Sequence, residues 1–257
     1  MAENNNVRIL IEEGYRNIRN GRYIDALTKF KEALTIEPNN YEIFTGIGYS
    51  LFNVNKIDEA IQYFQKSVNI NPDNAENYNG LGSIFDFKQD YSTALSYYNK
   101  AIELKADDAT YYFNRGMTLQ HLGRDQEAID SFERATLVDK KFSEAYNNAG
   151  ICYANLGKFK KALEYYMVAI KLRPDNYVFY LNCADSYINL DDYKEALKYA
   201  KRSSKLNKED LDITVIEMVC LYKLKDYKEA LLRAEYILSK DAANEQALTI
   251  RRKINHR

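Results

Sequence analysis

Residues 146–166 read YNNAGICYANLGKFKKALEYY. Tyr146, Ala149, Gly150 and Tyr153 fall at i, i+3, i+4 and i+7, one face of a helix. Gly157 ends that helix, as glycine does just past a C-terminus. Phe159, Ala162, Leu163, Tyr166, Ala169 and Ile170 then form the apolar stripe of a second helix. Gly150 stands in the middle of the first helix, where glycine costs about 1 kcal/mol relative to alanine. Something must require it there. The same arrangement occurs upstream in YFNRGMTLQHLGRDQEAIDSF (112–132), and again, one equal step earlier, in YNGLGSIFDFKQDYSTALSYY (78–98).

Counting from Val7, seven blocks of equal length fit without insertion or deletion: 7–40, 41–74, 75–108, 109–142, 143–176, 177–210 and 211–244. The twentieth residue is alanine in every block: Ala26, Ala60, Ala94, Ala128, Ala162, Ala196 and Ala230. The eighth is Gly14, Gly48, Gly82, Gly116 and Gly150, then Ala184 and Met218. The twenty-fourth is Phe30, Phe64, Tyr98, Phe132 and Tyr166, then Ala200 and Ala234. Pro38, Pro72 and Pro174, the three prolines of the chain, all take the thirty-second position, where a residue that cannot continue a helix opens the next turn. Gly150 and Ala162 are expected to be small because the two helices of one hairpin press together there, so that packing overrides propensity. A single hairpin cannot bury its apolar faces, whereas stacked hairpins can.

These features, with the aromatic fourth position (Phe44, Tyr78, Tyr112, Tyr146, Tyr180), resemble the tetratricopeptide repeat proteins across residues 7–244. The chain departs from that pattern in lacking tryptophan at the fourth position, and in Ala200, Ala234 and Met218 of the last two blocks. The expected fold is all-α: a right-handed α-solenoid, or superhelix, of seven helix-turn-helix repeats. A disordered tail is expected over residues 1–6. Residues 245–257 are expected to form a capping helix, with Ala247, Leu248, Ile250 and Ile254 covering the last block and Arg251, Arg252, Lys253 and Arg257 kept in water.

Composition narrows the function. The 257 residues are 46% apolar and 28% charged, with a net charge of −1, which argues against a strongly basic nucleic-acid binder. Cys152, Cys183 and Cys220 are too few and too far apart for a disulfide framework or a zinc site, and read as buried thiols. No apolar run approaches the length of a membrane span, so neither membrane nor nucleic acid is expected as a partner. The expected location is the reducing cytoplasm.

No catalytic, cofactor-binding or metal site is expected. His121 and His256 have no motif partner. The glycines of GIGYSL (46–51) and GLGSIF (80–85) lack the strand and third glycine of a dinucleotide fingerprint. Asp107–Asp108 and Asp191–Asp192 fall at turns, where aspartate starts helices.

Function is therefore expected on a surface. The resemblance implies a concave groove, lined by the first helices, that holds a peptide or helix of a protein partner. The sixth residue of each block reads Glu12, Gly46, Gly80, Asn114, Asn148, Asn182 and Ile216. Asn114, Asn148 and Asn182 form an in-phase ladder whose amides each offer donor and acceptor to a peptide main chain. Asn79 and Asn147, one residue earlier in their blocks, and Asn155 and Asn189, further along, would widen the polar strip. The resemblance also raises a basic clamp for a peptide carboxylate, but the required lysine and arginine set is absent. Glu42, Glu76, Asp86, Glu144, Asp185 and Asp212 outnumber Arg8, Arg19 and Lys223 on groove phases, which favours a neutral or basic peptide. Val178, Leu181, Ile188, Val215, Ile216, Val219 and Tyr222 form an apolar groove patch in the last two blocks. It suits an apolar peptide anchor, a homo-oligomer contact, or cover by residues 245–257. The leading expectation is a non-enzymatic scaffold or adaptor binding an extended peptide. The alternatives are a self-associating assembly protein and a substrate-positioning subunit for a separate enzyme.

Overall fold

The computed structural model describes the backbone of residues 2–256 and the side chains of residues 6–256. Among the described residues there are fifteen helices and no strand. They divide into two compact units, residues 1–123 and 124–257. Unit 1 holds α1 (Ala2–Arg19), α2 (Tyr23–Ile36), α3 (Tyr41–Asn53), α4 (Ile57–Ile70), α5 (Ala75–Phe87), α6 (Tyr91–Leu104) and α7 (Ala109–His121). Unit 2 holds α8 (Asp125–Val138), α9 (Ser143–Asn155), α10 (Phe159–Leu172), α11 (Tyr177–Asn189), α12 (Tyr193–Leu206), α13 (Leu211–Lys223), α14 (Tyr227–Lys240) and α15 (Glu245–Asn255). From α3 to α15, every first helix begins one block length after the last one, at Tyr41, Ala75, Ala109, Ser143, Tyr177, Leu211 and Glu245. Within each unit, helices adjacent in sequence pack side by side as stacked hairpins.

Local chemistry sets the helix ends. Asn40, Asn74, Asp108, Asn176, Asp210 and Asn244 cap first helices by accepting hydrogen bonds from backbone amides of the opening turn. The turn between the two helices of a block always has positive φ at its fifteenth residue: Gly21, Asn55, Gln89, Gly123, Gly157, Asp191 and Lys225, from +58° to +72°. Within each unit such a left-handed residue reverses the chain, and glycine supplies that conformation at no steric cost.

The mid-helix glycines answer to rings. A Cβ on Gly14 would sit 2.6 Å from the Phe30 ring, one on Gly48 3.0 Å from Phe64, one on Gly82 2.7 Å from Tyr98, and one on Gly150 2.5 Å from Tyr166. In these four blocks the eighth residue is small because the ring of the twenty-fourth residue of its own hairpin presses on it. The last two blocks change both positions together. Ala184 and Ala200 are fully buried, and Met218 with Ala234 belongs to one buried cluster. Glycine plus ring becomes two alanines, then methionine plus alanine. The departures from the repeat pattern are thus exchanges of volume at one packing site.

Residues 2–6, expected as a tail, open α1 instead, while Met1 lies outside the described residues. No proline or glycine precedes Val7, and a helix anchored by buried Val7 and Ile11 extends backward at little cost. At the other end, α15 buries Ala247 and Ile250 against Met218, Ala234 and Ile237.

The first and last hairpins carry an ion pair between their seventh and twenty-third residues. Lys29 meets Glu13 at 3.3 Å, and Arg233 meets Glu217 at 2.8 Å. Corresponding positions of the second, third, fifth and sixth blocks hold Ile47 and Tyr63, Leu81 and Tyr97, Ala149 and Tyr165, and Cys183 and Tyr199.

Candidate peptide-binding surface

In unit 1 the first helices are tied by tyrosines. The Tyr15 hydroxyl donates to the Glu42 carbonyl at 3.2 Å, and that of Tyr49 to the Glu76 carbonyl at 2.8 Å. Asn79 donates to Tyr49 Oη at 3.4 Å, and Asn114 donates to Asn79 Oδ1 at 2.9 Å. In unit 2, Asn182 donates to Asn147 Oδ1 at 2.8 Å, and Asn147 donates to Asn148 Oδ1 at 3.2 Å. The asparagines therefore fall into two amide-paired sets, one in each unit, built from fifth and sixth positions together. Asn79 and Asn147 are buried, at 7% and 6% exposure. Asn114, Asn148 and Asn182 are half-buried.

The sixth position is not simply an upward-facing step, because a ring of the preceding block comes close to it. A Cβ on Gly46 would clash with Phe30, and one on Gly80 with Phe64. Asn155 and Asn189 are exposed at the ends of their helices. Asn155 donates to Asp125 Oδ1 at 3.1 Å, and Asn189 to the Asp185 carbonyl at 2.9 Å.

The apolar patch is uniform in exposure. Val178, Leu181, Ile188, Val215, Ile216, Val219 and Tyr222 are all half-buried. Val215, Val219 and Tyr222 pack against the cluster that contains Ala247 and Ile250 of α15.

The acidic groove residues are not equivalent. Glu144 is ion-paired with Arg173, and Asp86 accepts from the Thr118 hydroxyl at 2.6 Å, with His121 Nδ1 at 3.9 Å. Asp185 has its carboxyl pushed up by burial. Glu42 and Glu76 border a recess of about 820 Å³ in unit 1, which Glu12, Tyr15, Arg16, Arg19, Tyr41 and Tyr111 also line. Partial desolvation there raises the Glu76 carboxyl. Lys105 opposes the rise, while Asp108 and Glu42 add to it. A carboxyl raised above its unfolded value weakens the fold as pH climbs from the unfolded value through the folded one, and has no effect below both. Glu76→Gln is therefore expected to melt at or above the wild-type Tm at neutral pH. The two should coincide at about pH 3, where both side chains are uncharged. A clearly lower Tm for the variant at pH 7 would contradict this.

The remaining expectations concern chemistry. Cys152, Cys183 and Cys220 are buried free thiols. Burial pushes Cys183 and Cys220 up to about 12, the latter with help from Glu217. No group of metal-ligating side chains occurs among the described residues, and no described helix is long and apolar enough to cross a membrane. Asp108 and Asp192 act as helix caps. Sequence reasoning missed the buried polar knot of Thr45, Ser67 and Asn77, in which Thr45 donates to Asn77 Oδ1 at 2.7 Å and Asn77 to Ser67 Oγ at 2.9 Å. Its signal was Asn77 at a third position held by Ile43 one block earlier and Ile213 in the last block.

Comparisons with known proteins agree with this architecture. No curated protein sequence matches the chain. Among solved structures, it is similar to the C-terminal part of a TPR repeat-containing protein from Cytophaga hutchinsonii, at 18% identity and a TM-score of 0.74, covering 93% of this chain and 98% of that one. It is also similar to pilF of Pseudomonas aeruginosa, at 17% identity and a TM-score of 0.72, covering 83% and 97%. A third is YrrB, described as a TPR protein with an unusual peptide-binding site, at 20% identity and a TM-score of 0.61, covering 72% and 95%. Family models of the tetratricopeptide repeat match residues 17–83, 79–141, 143–176 and 177–210. With the regular recurrence of its helix pairs, this chain belongs to the tetratricopeptide repeat proteins.

Proposed function

We propose that this protein is a non-enzymatic scaffold that binds an extended peptide segment of a partner protein, and that Asn114, Asn148 and Asn182 hold the peptide main chain. The observation that carries the reading is the pair of amide sets on the first helices. Each asparagine amide has two N–H donors and a carbonyl acceptor. Asn114 and Asn182 each commit one N–H to a buried neighbour, which fixes the orientation of the amide plane. A half-buried amide so oriented presents its remaining polar edge with little rotamer entropy left to lose on binding. The peptide-binding site described for YrrB supports the same use of the fold. The three unpaired cysteines favour a reducing compartment, and we place the protein in the cytoplasm.

The test is selection of peptides on the wild-type protein from a display library, then fluorescence anisotropy against the Asn114→Ala/Asn148→Ala/Asn182→Ala variant. A net hydrogen bond contributes about 1 kcal/mol, so three lost bonds weaken binding by about a hundredfold. Circular dichroism checks that the variant stays helical. Weakening of less than about threefold, under about 0.7 kcal/mol, would end the assignment.

A further inference from the structure

The recess in unit 1 contains a polar group with no partner. Tyr111 is 2% exposed, its ring packs with Ala75 and Ala101, and it lines the recess. Its hydroxyl is buried and makes no hydrogen bond. An unmet buried hydroxyl is destabilising, and native structures rarely tolerate one without a reason. Beside it stand two carboxylates from successive repeats, Glu42 on α3 and Glu76 on α5. Among the described residues neither is ion-paired. Of the other lining charges, Glu12 is paired with Arg8 at 3.2 Å and Lys105 with Asp108 at 3.4 Å, whereas Asp73, Arg16 and Arg19 have no ion pair among the described residues. Tyr15 and Tyr41 add aromatic wall, and Arg16 and Arg19 stand on the α1 side.

From this we infer that the recess takes the cationic side chain, arginine or lysine, of the bound peptide. The inference rests on the peptide-binding reading and names the chemistry of one subsite. A guanidinium or ammonium offers only donors, and the open groups at this end are acceptors: two carboxylates and the Tyr111 oxygen. Charge-assisted bonds to carboxylates are about twice as strong as neutral ones. The tyrosine rings give a cation a further favourable surface. Arg16 and Arg19 meet carbonyl or acidic groups flanking that side chain. The size suits one long side chain with its adjoining backbone.

The probe is N-acetyl-arginine N-methylamide, compared with its citrulline analogue, which has nearly the same shape and no charge. Binding is followed by amide chemical-shift changes in the full chain. The arginine compound is expected to bind about tenfold or more tighter than citrulline, a difference of about 1.4 kcal/mol. The largest shifts should fall at Glu42, Glu76 and Tyr111. Glu76→Gln and Tyr111→Phe are each expected to weaken it severalfold. Tyr111→Phe removes a hydroxyl that has no partner, so its stability should be unchanged or raised, which separates lost binding from lost fold. Equal binding of the two compounds, shifts centred elsewhere, or wild-type affinity in both variants would overturn the inference. If selected peptides still bind without any preference for arginine, this subsite falls and the peptide-binding reading stands. If they also fail to bind, both fall.

Discussion

Phe64→Ala is expected to destabilise unit 1 by about 4 kcal/mol, the middle of the range for removal of a buried aromatic ring. Phe64 is fully buried and meets Tyr49 edge-to-face at 5.1 Å. Its ring covers Gly48 of its own hairpin and Gly80 of the next. Neither glycine has a side chain that could relax into the space, so the cavity stays open and the cost is high. The loss should appear as reduced hydrogen-exchange protection across α3, α4 and α5, because repeat arrays open locally. The last block suggests the repair. There Met218 and Ala234 fill the site that a glycine and a ring fill elsewhere. Gly48→Met alone overpacks against Phe64 and should destabilise. Combined with Phe64→Ala it should recover part of the loss. A double variant no better than Phe64→Ala would show that the two positions do not share one volume.

Arg233→Met is expected to cost about 2 kcal/mol, between the values typical of exposed and of fully buried ion pairs. Glu217 sits on α13 with a side chain only 6% exposed, and Arg233 Nε donates to it at 2.8 Å. Removing the arginine strands a charge in a poorly hydrated place. Such losses reach about 3–5 kcal/mol when both partners are buried. The Arg233 side chain is 32% exposed, so water relieves part of the penalty and the lower figure follows. Replacing both, with Glu217→Leu and Arg233→Met, should return stability to the wild-type level or above it, since an apolar residue and a tyrosine ring fill the equivalent place in the second, third, fifth and sixth repeats. Chemical denaturation of the three variants decides the matter. Arg233→Met as stable as wild type would mean the pair is a surface contact.

The repeat was legible because its positions answer to packing. Alanine at the twentieth position, a small eighth residue and a ring at the twenty-fourth recur with the geometry that demands them, and the helix starts follow the same step. The partner of Gly150 was less legible. Spacing showed a need for smallness, but the ring that requires it, Tyr166, is brought to Gly150 only by the packing of the two helices. The binding surface was legible in residue type and not in arrangement. Periodicity put Asn114, Asn148 and Asn182 on one phase, yet it does not reveal that Asn79 and Asn147 are buried against their amides. The apolar patch was legible in the same limited way. Helical phase assigns a face, whereas burial depends on what packs against it: Val215, Val219 and Tyr222 border a cluster of α13, α14 and α15 residues. The Tyr111 hydroxyl had no sequence signal, because a tyrosine in a core reads as a ring.

The central claim is that asparagine amides hold a peptide by its main chain. The most direct measurement is the affinity of one display-selected peptide before and after N-methylation of a single backbone amide, carried out at each residue in turn. N-methylation removes a donor and leaves the side chains in place. At positions that face Asn114, Asn148 or Asn182, binding is predicted to weaken by about 1 kcal/mol, roughly fivefold, and the same change should have no effect once the matching asparagine is alanine. A peptide that tolerates N-methylation at every position, or is equally weakened by it in wild type and variants, would contradict the account.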